Sequence, residues 1–460
     1  MNLHPLDIGI IFFYLISIFL VGFIRRKKGD SLDYMLMGRK LSLPAFVMTL
    51  VSTWYGGILG VSEYSTSYGI SNWVIFGMPY YLFGIIFALS VAKRARALQV
   101  NSLAELIAKD YGAAAGRLSA LWVLLLASPA PYVLTLGILL NFFTGISLNT
   151  AIIFGTLFSL LYIYRGGFVA VVNTDKIQFV LMFLGFAVIL LVLGFTYKSP
   201  WVLWESLPAS HRSLSGGHNL GYILVWFFIG SWTLVDPGFH QRVYATTTPR
   251  IAKTGILWAV LFWFFFDIMT TFTGLYAFSY LSGPAMPSQA FLMLGSQVLP
   301  IGLQGVFFAG LLATVMSTLD SNTLISGITL GKDILGSYST YQRIDTERII
   351  KVSMGFVLFI AIIMAIALPS VIDLWYTFGT IAIPALLAPT LFSISGKPLS
   401  LKAVRLNLIV PPLISITWFL FGKIDQWNYF LRLEPFYPGV LSSLLIIMLF
   451  NHSKSETENA

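Results

Sequence analysis

The sequence predicts an all-α integral membrane protein that crosses the bilayer many times. Hydrophobic residues make up 57% of the 460 residues and charged residues only 10%, whereas soluble domains carry roughly 25% charged residues. Apolar runs recur along the chain at about the 20 residues that a helix needs to cross roughly 30 Å of hydrocarbon. Because these runs are long and unbroken, they do not fit a transmembrane β-barrel, whose strands alternate over about 10 residues.

Thirteen apolar segments are expected to be spans of a single membrane domain covering residues 1–460. They lie at residues 6–24, 43–66, 70–92, 117–142, 148–164, 168–197, 218–236, 252–281, 302–330, 348–369, 371–395, 401–422 and 434–450. The first segment has its basic cluster, Arg25–Lys28, after it, which is the reverse of a signal peptide, so we expect it to remain as a span.

The distribution of basic residues predicts an N-out, C-in topology. If the N-terminus is outside, all but four of the 28 lysines and arginines fall on the cytoplasmic side or at inner span ends, as the positive-inside rule requires. The four exceptions are Lys198, Arg212, Lys423 and Arg432. The net charge of +9 follows this loop pattern, so the expected partners are membrane lipids of the inner or plasma membrane, and not nucleic acid.

Several kinds of chemistry are disfavoured by composition. The chain has no cysteine, and its five histidines are scattered through loops and span ends, so neither thiol chemistry nor a histidine metal centre is expected. No soluble catalytic domain and no phosphate-binding loop of the GxxxxGK[ST] form is present, which disfavours an enzyme and an ATP-driven pump. An ion gradient remains as the energy source.

Two spans carry breaks in their middle. Gly56, Gly57 and Gly60 interrupt the span at 43–66, where glycine weakens a helix by about 1 kcal/mol relative to alanine. Unwound backbone of this kind supplies carbonyl ligands to Na⁺ in many transporters, although small residues also form packing seams between helices. A second break, at 230–232, lies in the span at 218–236, and the four spans between the two interrupted ones are a spacing typical of an inverted-repeat transporter.

The span at 302–330 combines several hydroxyl groups on one helix face. Thr314, Ser317, Thr318 and Ser321 follow the i, i+3, i+4, i+7 pattern, and hydroxyl and carbonyl oxygens suit a hard cation. The alternative is that each hydroxyl bonds back to the carbonyl one turn earlier. The density of the cluster beside Asp320 favours the cation site.

Three further carboxylates lie in or beside membrane segments, where an unpaired charge is costly. Asp175, near the inner end of its span, is equally compatible with a functional role and with anchoring a helix end. For Asp236 and Asp267 we favour structural pairing.

Several motifs resemble, in order and spacing, those of the sodium/solute symporter family, whose members carry sugars, proline, pantothenate, iodide or sialic acid. The motifs are Gly38-Arg39, Tyr68-Gly69, the block from Gly166 to Gln178, Asp236-Pro237 with Gln241-Arg242, and Met316–Ser321. The resemblance implies a leucine-transporter-type fold with a 5+5 inverted repeat over about 43–197 and 218–395. An extra N-terminal helix at 6–24 and extra C-terminal helices at about 401–450 complete this plan.

The same resemblance implies the site residues. Na⁺ would bind the carbonyls of Leu50, Thr53 and Thr314 and the hydroxyls of Ser317 and Thr318, and Asp175 would serve a second Na⁺ site or the inner exit path. The candidate solute contacts are Ser52, Trp54, Gly57, Tyr80, Trp226 and Trp232. Sugar carriers of the family place polar side chains where this chain has Gly56 and Gly57, which disfavours a sugar.

The expected function is secondary active transport, in which inward Na⁺ movement drives uptake of a small organic solute by alternating access. The alternatives are H⁺ coupling through Asp175 or Asp267 and a passive solute channel. An integral-membrane enzyme is disfavoured, and no obligate protein partner is expected.

Overall fold

The computed structural model describes residues 3–23, 31–283, 286–338, 344–424, 429, 431 and 433–451. Within these residues the regular structure is helical, apart from one isolated β-bridge between Leu41 and Thr246. The basic cluster at 25–28, the residue at 432 and the side chain at 423 lie outside the described part, so the structure does not place those charges.

The helices are numbered in chain order. The first eleven are α1 (Pro5–Phe23), α2 (Ser31–Leu36), α3 (Leu43–Ser52), α4 (Ile58–Tyr68), α5 (Ser71–Phe76), α6 (Met78–Ile86), α7 (Ala92–Ala97), α8 (Leu103–Tyr111), α9 (Ala113–Leu126), α10 (Ala130–Thr144) and α11 (Leu148–Thr196). The others are α12 (Pro200–Ser206), α13 (Ala209–Arg212), α14 (Leu220–Ile229), α15 (Trp232–Val235), α16 (Pro237–Ala245), α17 (Pro249–Leu281), α18 (Ala290–Val298), α19 (Leu303–Ile328), α20 (Thr346–Ala367), α21 (Val371–Ser395), α22 (Leu401–Ile424) and α23 (Phe436–Phe450).

Ten helical segments of the described chain are long and apolar enough to cross a membrane. The helices α3 and α23 are apolar but shorter. Segment α19 lies at the centre of the bundle and is almost entirely buried, and it packs most extensively against α11. Segment α1 is largely exposed along its apolar surface, as expected of a helix that faces lipid.

Both breaks expected from the sequence are present. Helix α3 ends at Ser52, and α4 begins after the non-helical stretch 53–57. The other broken span, expected at 218–236, was predicted to end at residue 236. The structure interrupts it at 230–231 and again at Asp236, and then continues it as α16. Pro237 has no N–H to donate, and the Asp236 carboxylate caps the new helix by accepting from the Phe239 N–H at 2.8 Å.

The two spans expected at 148–164 and 168–197 form one helical run, α11, with a kink at Gly167. The backbone of Gly167 has φ 57°, and a β-carbon there would lie 2.6 Å from the Tyr34 carbonyl oxygen. Only glycine therefore allows α11 to turn at this point and to pass so close to α2.

One end of the bundle is closed by hydrogen bonds between its loops and the end of α16. The Arg39 guanidinium donates to the carbonyls of Tyr244 at 3.0 Å and Gln99 at 2.8 Å. The Arg96 guanidinium donates to the Thr246 carbonyl at 2.7 Å. Burial and the neighbouring Arg96 lower the pKa of Arg39. These basic residues, all expected on the cytoplasmic side, thus gather at a single end of the protein.

Candidate functional site

A cluster of buried oxygen atoms lies where the end of α3 meets α11 and α19. The Ser317 hydroxyl on α19 is 2.7 Å from Asp175 Oδ1 and 3.0 Å from Ser52 Oγ. It is also 3.4 Å from Thr53 Oγ1, and the second Asp175 oxygen accepts a hydrogen bond from Thr49. Residues that are 265 positions apart in the chain, such as Ser52 and Ser317, therefore meet in one polar site.

The break after α3 leaves backbone oxygens available beside this cluster, because the last carbonyls of a helix have no partner inside it. The Trp54 N–H bonds to the Val51 carbonyl at 3.2 Å, and no described backbone N–H donates to the Leu50 carbonyl. On α19, by contrast, the Thr318 hydroxyl bonds back to the Thr314 carbonyl at 3.3 Å. The five expected Na⁺ ligands thus lie on two elements that meet here, the end of α3 with the unwound backbone after it and helix α19.

Two glycines allow the broken segment to approach its neighbours closely. A β-carbon at Gly56 would lie 2.3 Å from the Thr318 β-carbon, and one at Gly57 would lie 1.9 Å from Cζ2 of Trp375. Both distances are shorter than any van der Waals contact, so even alanine would push these side chains aside. The glycines expected from the sequence to permit unwinding also bring the unwound backbone against Thr318 and Trp375.

Besides Thr49, which the sequence analysis also left unassigned, the site contains Arg242. Its side chain is fully buried, and its Nη2 lies 3.7 Å from Asp175 Oδ2. The same nitrogen donates to the hydroxyls of Thr49 at 3.0 Å, Thr53 at 2.6 Å and Ser321 at 2.8 Å. The only sequence signal was its position in the Gln241-Arg242 motif, which does not indicate which helices it joins.

A cavity with about 950 Å³ of empty space, part of it open to solvent, begins directly beside the polar cluster. Leu50, Thr53 and Arg242 belong to both the cluster and the cavity wall. Five of the six candidate solute contacts line the cavity, namely Trp54, Gly57, Tyr80, Trp226 and Trp232. The sixth, Ser52, lies in the polar cluster, where its hydroxyl donates to the Met48 carbonyl at 2.9 Å.

Two further carboxylates also line this cavity, Asp236 and Asp267. Asp236 caps α16 and is partly exposed although it lies deep within the bundle. Asp267 on α17 accepts a hydrogen bond from the Tyr81 hydroxyl. Among the described residues neither carboxylate forms a direct ion pair.

The carboxylate of Asp320, on α19, faces away from the cavity. It accepts hydrogen bonds from the hydroxyls of Ser159, at 2.5 Å, and of Tyr162. Both partners are on α11, so Asp320 joins the two most extensively packed helices of the bundle.

Most of the chain matches a known family of transporters. The family model described as "Sodium:solute symporter family" matches residues 34–199 and 205–398. The chain belongs to this family. The symporter is therefore a multi-pass membrane transporter that couples solute movement to sodium.

Individual relatives are distant. The high-affinity proline transporter PutP of Bacillus subtilis (strain 168) is 23% identical over 339 residues, which cover 70% of this chain and 69% of that protein. The sodium/pantothenate symporter of Haemophilus influenzae is 27% identical over 353 residues, covering 72% of this chain and 71% of that protein. The solutes named for these two relatives differ, so neither identifies the solute of this symporter.

The fold is shared with a Na⁺-coupled sialic acid symporter solved in its substrate-bound, outward-open state. The TM-score is 0.73, and the match covers 98% of both chains at 16% sequence identity. The match confirms the overall arrangement of helices.

Proposed function

We propose that this symporter binds Na⁺ where the unwound backbone after α3 faces the hydroxyls of α19. The ligands are the carbonyls of Leu50, Thr53 and Thr314 and the hydroxyls of Ser317 and Thr318. The position of Ser317, within 3.4 Å of both Ser52 and Thr53, is the observation that carries this assignment. Neutral oxygens are suitable ligands for a hard cation in a low-dielectric interior.

Asp175 has a distinct part in this proposal. Its carboxylate is 2.7 Å from the Ser317 hydroxyl, so its negative charge stabilises a cation at the site without being an expected ligand of it. Because Asp175 also reaches Thr49 and Arg242, it marks either a second Na⁺ position or the exit path.

Coupling follows from the shared wall between the Na⁺ site and the cavity. Leu50 and Thr53 would ligate the ion through their carbonyls and also line the cavity. Whichever ligand binds first orders the unwound segment for the other, and this effect is reciprocal. Alternating access would then carry Na⁺ and solute across together, with the solute contacting Trp54, Gly57, Tyr80, Trp226 and Trp232.

The membrane arrangement is proposed to comprise about 13 spans, N-out and C-in, in the inner or plasma membrane. The 49 residues of α11 would extend about 74 Å as a straight helix, more than twice the hydrocarbon thickness, and the kink at Gly167 divides them into two spans. The broken pairs α3–α4 and α14–α16 would open the two repeats, over about 43–197 and 218–395.

Uptake into proteoliposomes tests the proposed function. A panel of radiolabelled solutes that includes proline, pantothenate, glucose and small organic cations would be offered under an inward Na⁺ gradient and under a matched K⁺ gradient. We expect accumulation of a carried solute only with Na⁺. Accumulation driven equally well by a proton gradient in Na⁺-free buffer would indicate H⁺ coupling. Solute flux that does not depend on the cation gradient would indicate a channel.

A further inference from the structure

We propose that the solute is a small organic cation whose alkylammonium group is held by the aromatic walls and carboxylates of the cavity. This inference rests on the proposed symport function and specifies its substrate class. Two features of the cavity support it: its aromatic walls and the excess of carboxylates over basic side chains around it.

Aromatic rings form two sides of the cavity. Trp54 meets Tyr80 edge to face, with ring centroids 5.1 Å apart. On another side, Phe76 packs against Trp226 at 5.0 Å and against Trp375 at 5.9 Å. All five residues line the cavity. Several ring faces around one space form the arrangement that attracts alkylammonium groups through cation–π interactions.

The charges that line the cavity favour a positive solute. Asp236 and Asp267 both contribute to its wall, and neither has a direct ion-pair partner in the described chain. Arg242 pairs with Asp175 and also lies within electrostatic range of Asp236, so it is one positive charge against three carboxylates. One Na⁺ at the neighbouring site offsets one of the two remaining charges, so a monovalent organic cation would complete the neutralisation of the closed site.

An anionic solute would find a single basic side chain in the same cavity, and most donors of that side chain are engaged. Arg242 is the one basic side chain among the described lining residues. Its Nη2 already donates to Thr49, Thr53 and Ser321, and its Nη1 is 3.3 Å from the Gly238 carbonyl. Its Nε has no hydrogen-bond partner among the described residues, so with the other nitrogens engaged it offers an anion less than the two-pronged contact that carboxylates normally receive from arginine.

A polyhydroxyl solute would find few partners beyond the Nε1 donors of Trp226 and Trp232, which have no hydrogen-bond partner among the described residues. The Thr53 hydroxyl is engaged by Arg242. The Tyr55 hydroxyl donates to the Trp263 carbonyl at 3.1 Å, and the Asn322 amide donates to the Thr318 carbonyl at 3.1 Å. A sugar loses many hydrogen bonds to water on binding and would recover few here. A quaternary alkylammonium group has no N–H donor and makes no directed hydrogen bonds, so it is not penalised in this way.

The test uses the purified symporter in detergent, with tetramethylammonium as the probe and tert-butanol as an uncharged analogue of similar size. The readouts are the melting temperature and the intrinsic tryptophan fluorescence, since several tryptophans line the cavity. We expect saturable changes with tetramethylammonium in Na⁺ buffer, much weaker changes in K⁺ buffer, and none with tert-butanol, glucose, proline or pantothenate.

Variants locate the binding. Asp236→Asn, Asp267→Asn and Trp54→Leu should each weaken tetramethylammonium binding roughly 5- to 30-fold, the equivalent of about 1–2 kcal/mol for a lost cation–π or charge contact. The matched controls are Glu205→Gln and Trp201→Leu, both on the exposed helix α12, which should leave the affinity unchanged. The wild-type measurements decide the question even if a variant fails to fold.

The outcomes separate this inference from the symport function. If proline, glucose, pantothenate or tert-butanol produces the Na⁺-dependent change and tetramethylammonium does not, the substrate class is wrong while symport stands. If no probe changes the melting temperature or the tryptophan fluorescence, the inference is also overturned. If the protein does not respond to Na⁺ at all, either alone or with any probe, the proposed symport function fails as well.

Discussion

Arg242 and Asp175 form an ion pair inside the bundle, with Nη2 and Oδ2 3.7 Å apart and both side chains fully buried. The pair connects α16, the last part of the second broken helix, to α11, and it does so beside the hydroxyls of α3 and α19. Both broken helices and the proposed Na⁺ site therefore meet at one charged contact. The first two predictions concern the two partners of this pair.

Replacing the arginine should be far more damaging than replacing the aspartate. Arg242→Met leaves the Asp175 carboxylate buried without a cation, which typically costs about 3–5 kcal/mol. The double variant Asp175→Asn/Arg242→Met removes both charges and should be more stable than Arg242→Met alone. Thermal unfolding of the four proteins in detergent completes a double-mutant cycle, and strictly additive losses would show that the pair is not coupled.

Asp175→Asn alone should leave the protein folded and change its dependence on Na⁺. Arg242 keeps its hydroxyl acceptors Thr49, Thr53 and Ser321 in this variant, whereas the negative charge beside Ser317 is lost. We expect a higher Na⁺ concentration for half-maximal uptake at an unchanged expression level. Reduced expression with an unchanged Na⁺ requirement would instead show that Asp175 only anchors a helix end.

Gly56→Ala should weaken Na⁺ binding through a steric effect on its neighbour. The added methyl group would overlap the Thr318 side chain, and overpacking of this kind costs about 1–3 kcal/mol, or roughly 5- to 150-fold in affinity. Gly355→Ala is the matched control, since nothing lies within 4 Å of a β-carbon placed there. Equal Na⁺ affinity in both variants would show that close packing against Thr318 is irrelevant to the ion.

The proposed topology can be measured directly, because the chain contains no cysteine and single cysteines can be introduced on that background. A membrane-impermeant maleimide added to intact cells should label Ser210→Cys, in the segment between α11 and α14. It should not label Thr247→Cys, after α16, until the cells are opened. Both wild-type residues are exposed in the structure. The reverse labelling pattern would invert the assignment of every loop.

Local features of the sequence were enough to predict the fold class and both helix breaks. Glycines beside hydroxyl residues indicate where 43–66 unwinds, and the i, i+3, i+4 spacing of Thr314, Ser317 and Thr318 indicates a shared face. Each of these signals depends on neighbours within two helical turns, which a sequence shows directly.

The contacts of the site depend on packing between distant segments and had no comparable signal. Arg242 and Thr49 are 193 positions apart, and nothing in either local pattern pairs them. The close approach of Gly57 to Trp375 is likewise set by how α21 packs against the unwound segment. The continuation of the second broken helix as α16 was missed because Asp236-Pro237 is compatible with a helix end as well as with a helix start.

The most direct test of the Na⁺ site is equilibrium binding of ²²Na⁺ to the purified symporter and to Ser317→Ala and Thr318→Val. Each variant removes one hydroxyl ligand and should cost about 1–3 kcal/mol, raising the half-saturating Na⁺ concentration roughly 5- to 150-fold. The control is Thr329→Val, whose hydroxyl only bonds back to the Ile325 carbonyl at 2.9 Å; it should bind Na⁺ as the wild type does. Wild-type Na⁺ affinity in both site variants, or displacement of ²²Na⁺ by K⁺ as effectively as by unlabelled Na⁺, would contradict the assignment.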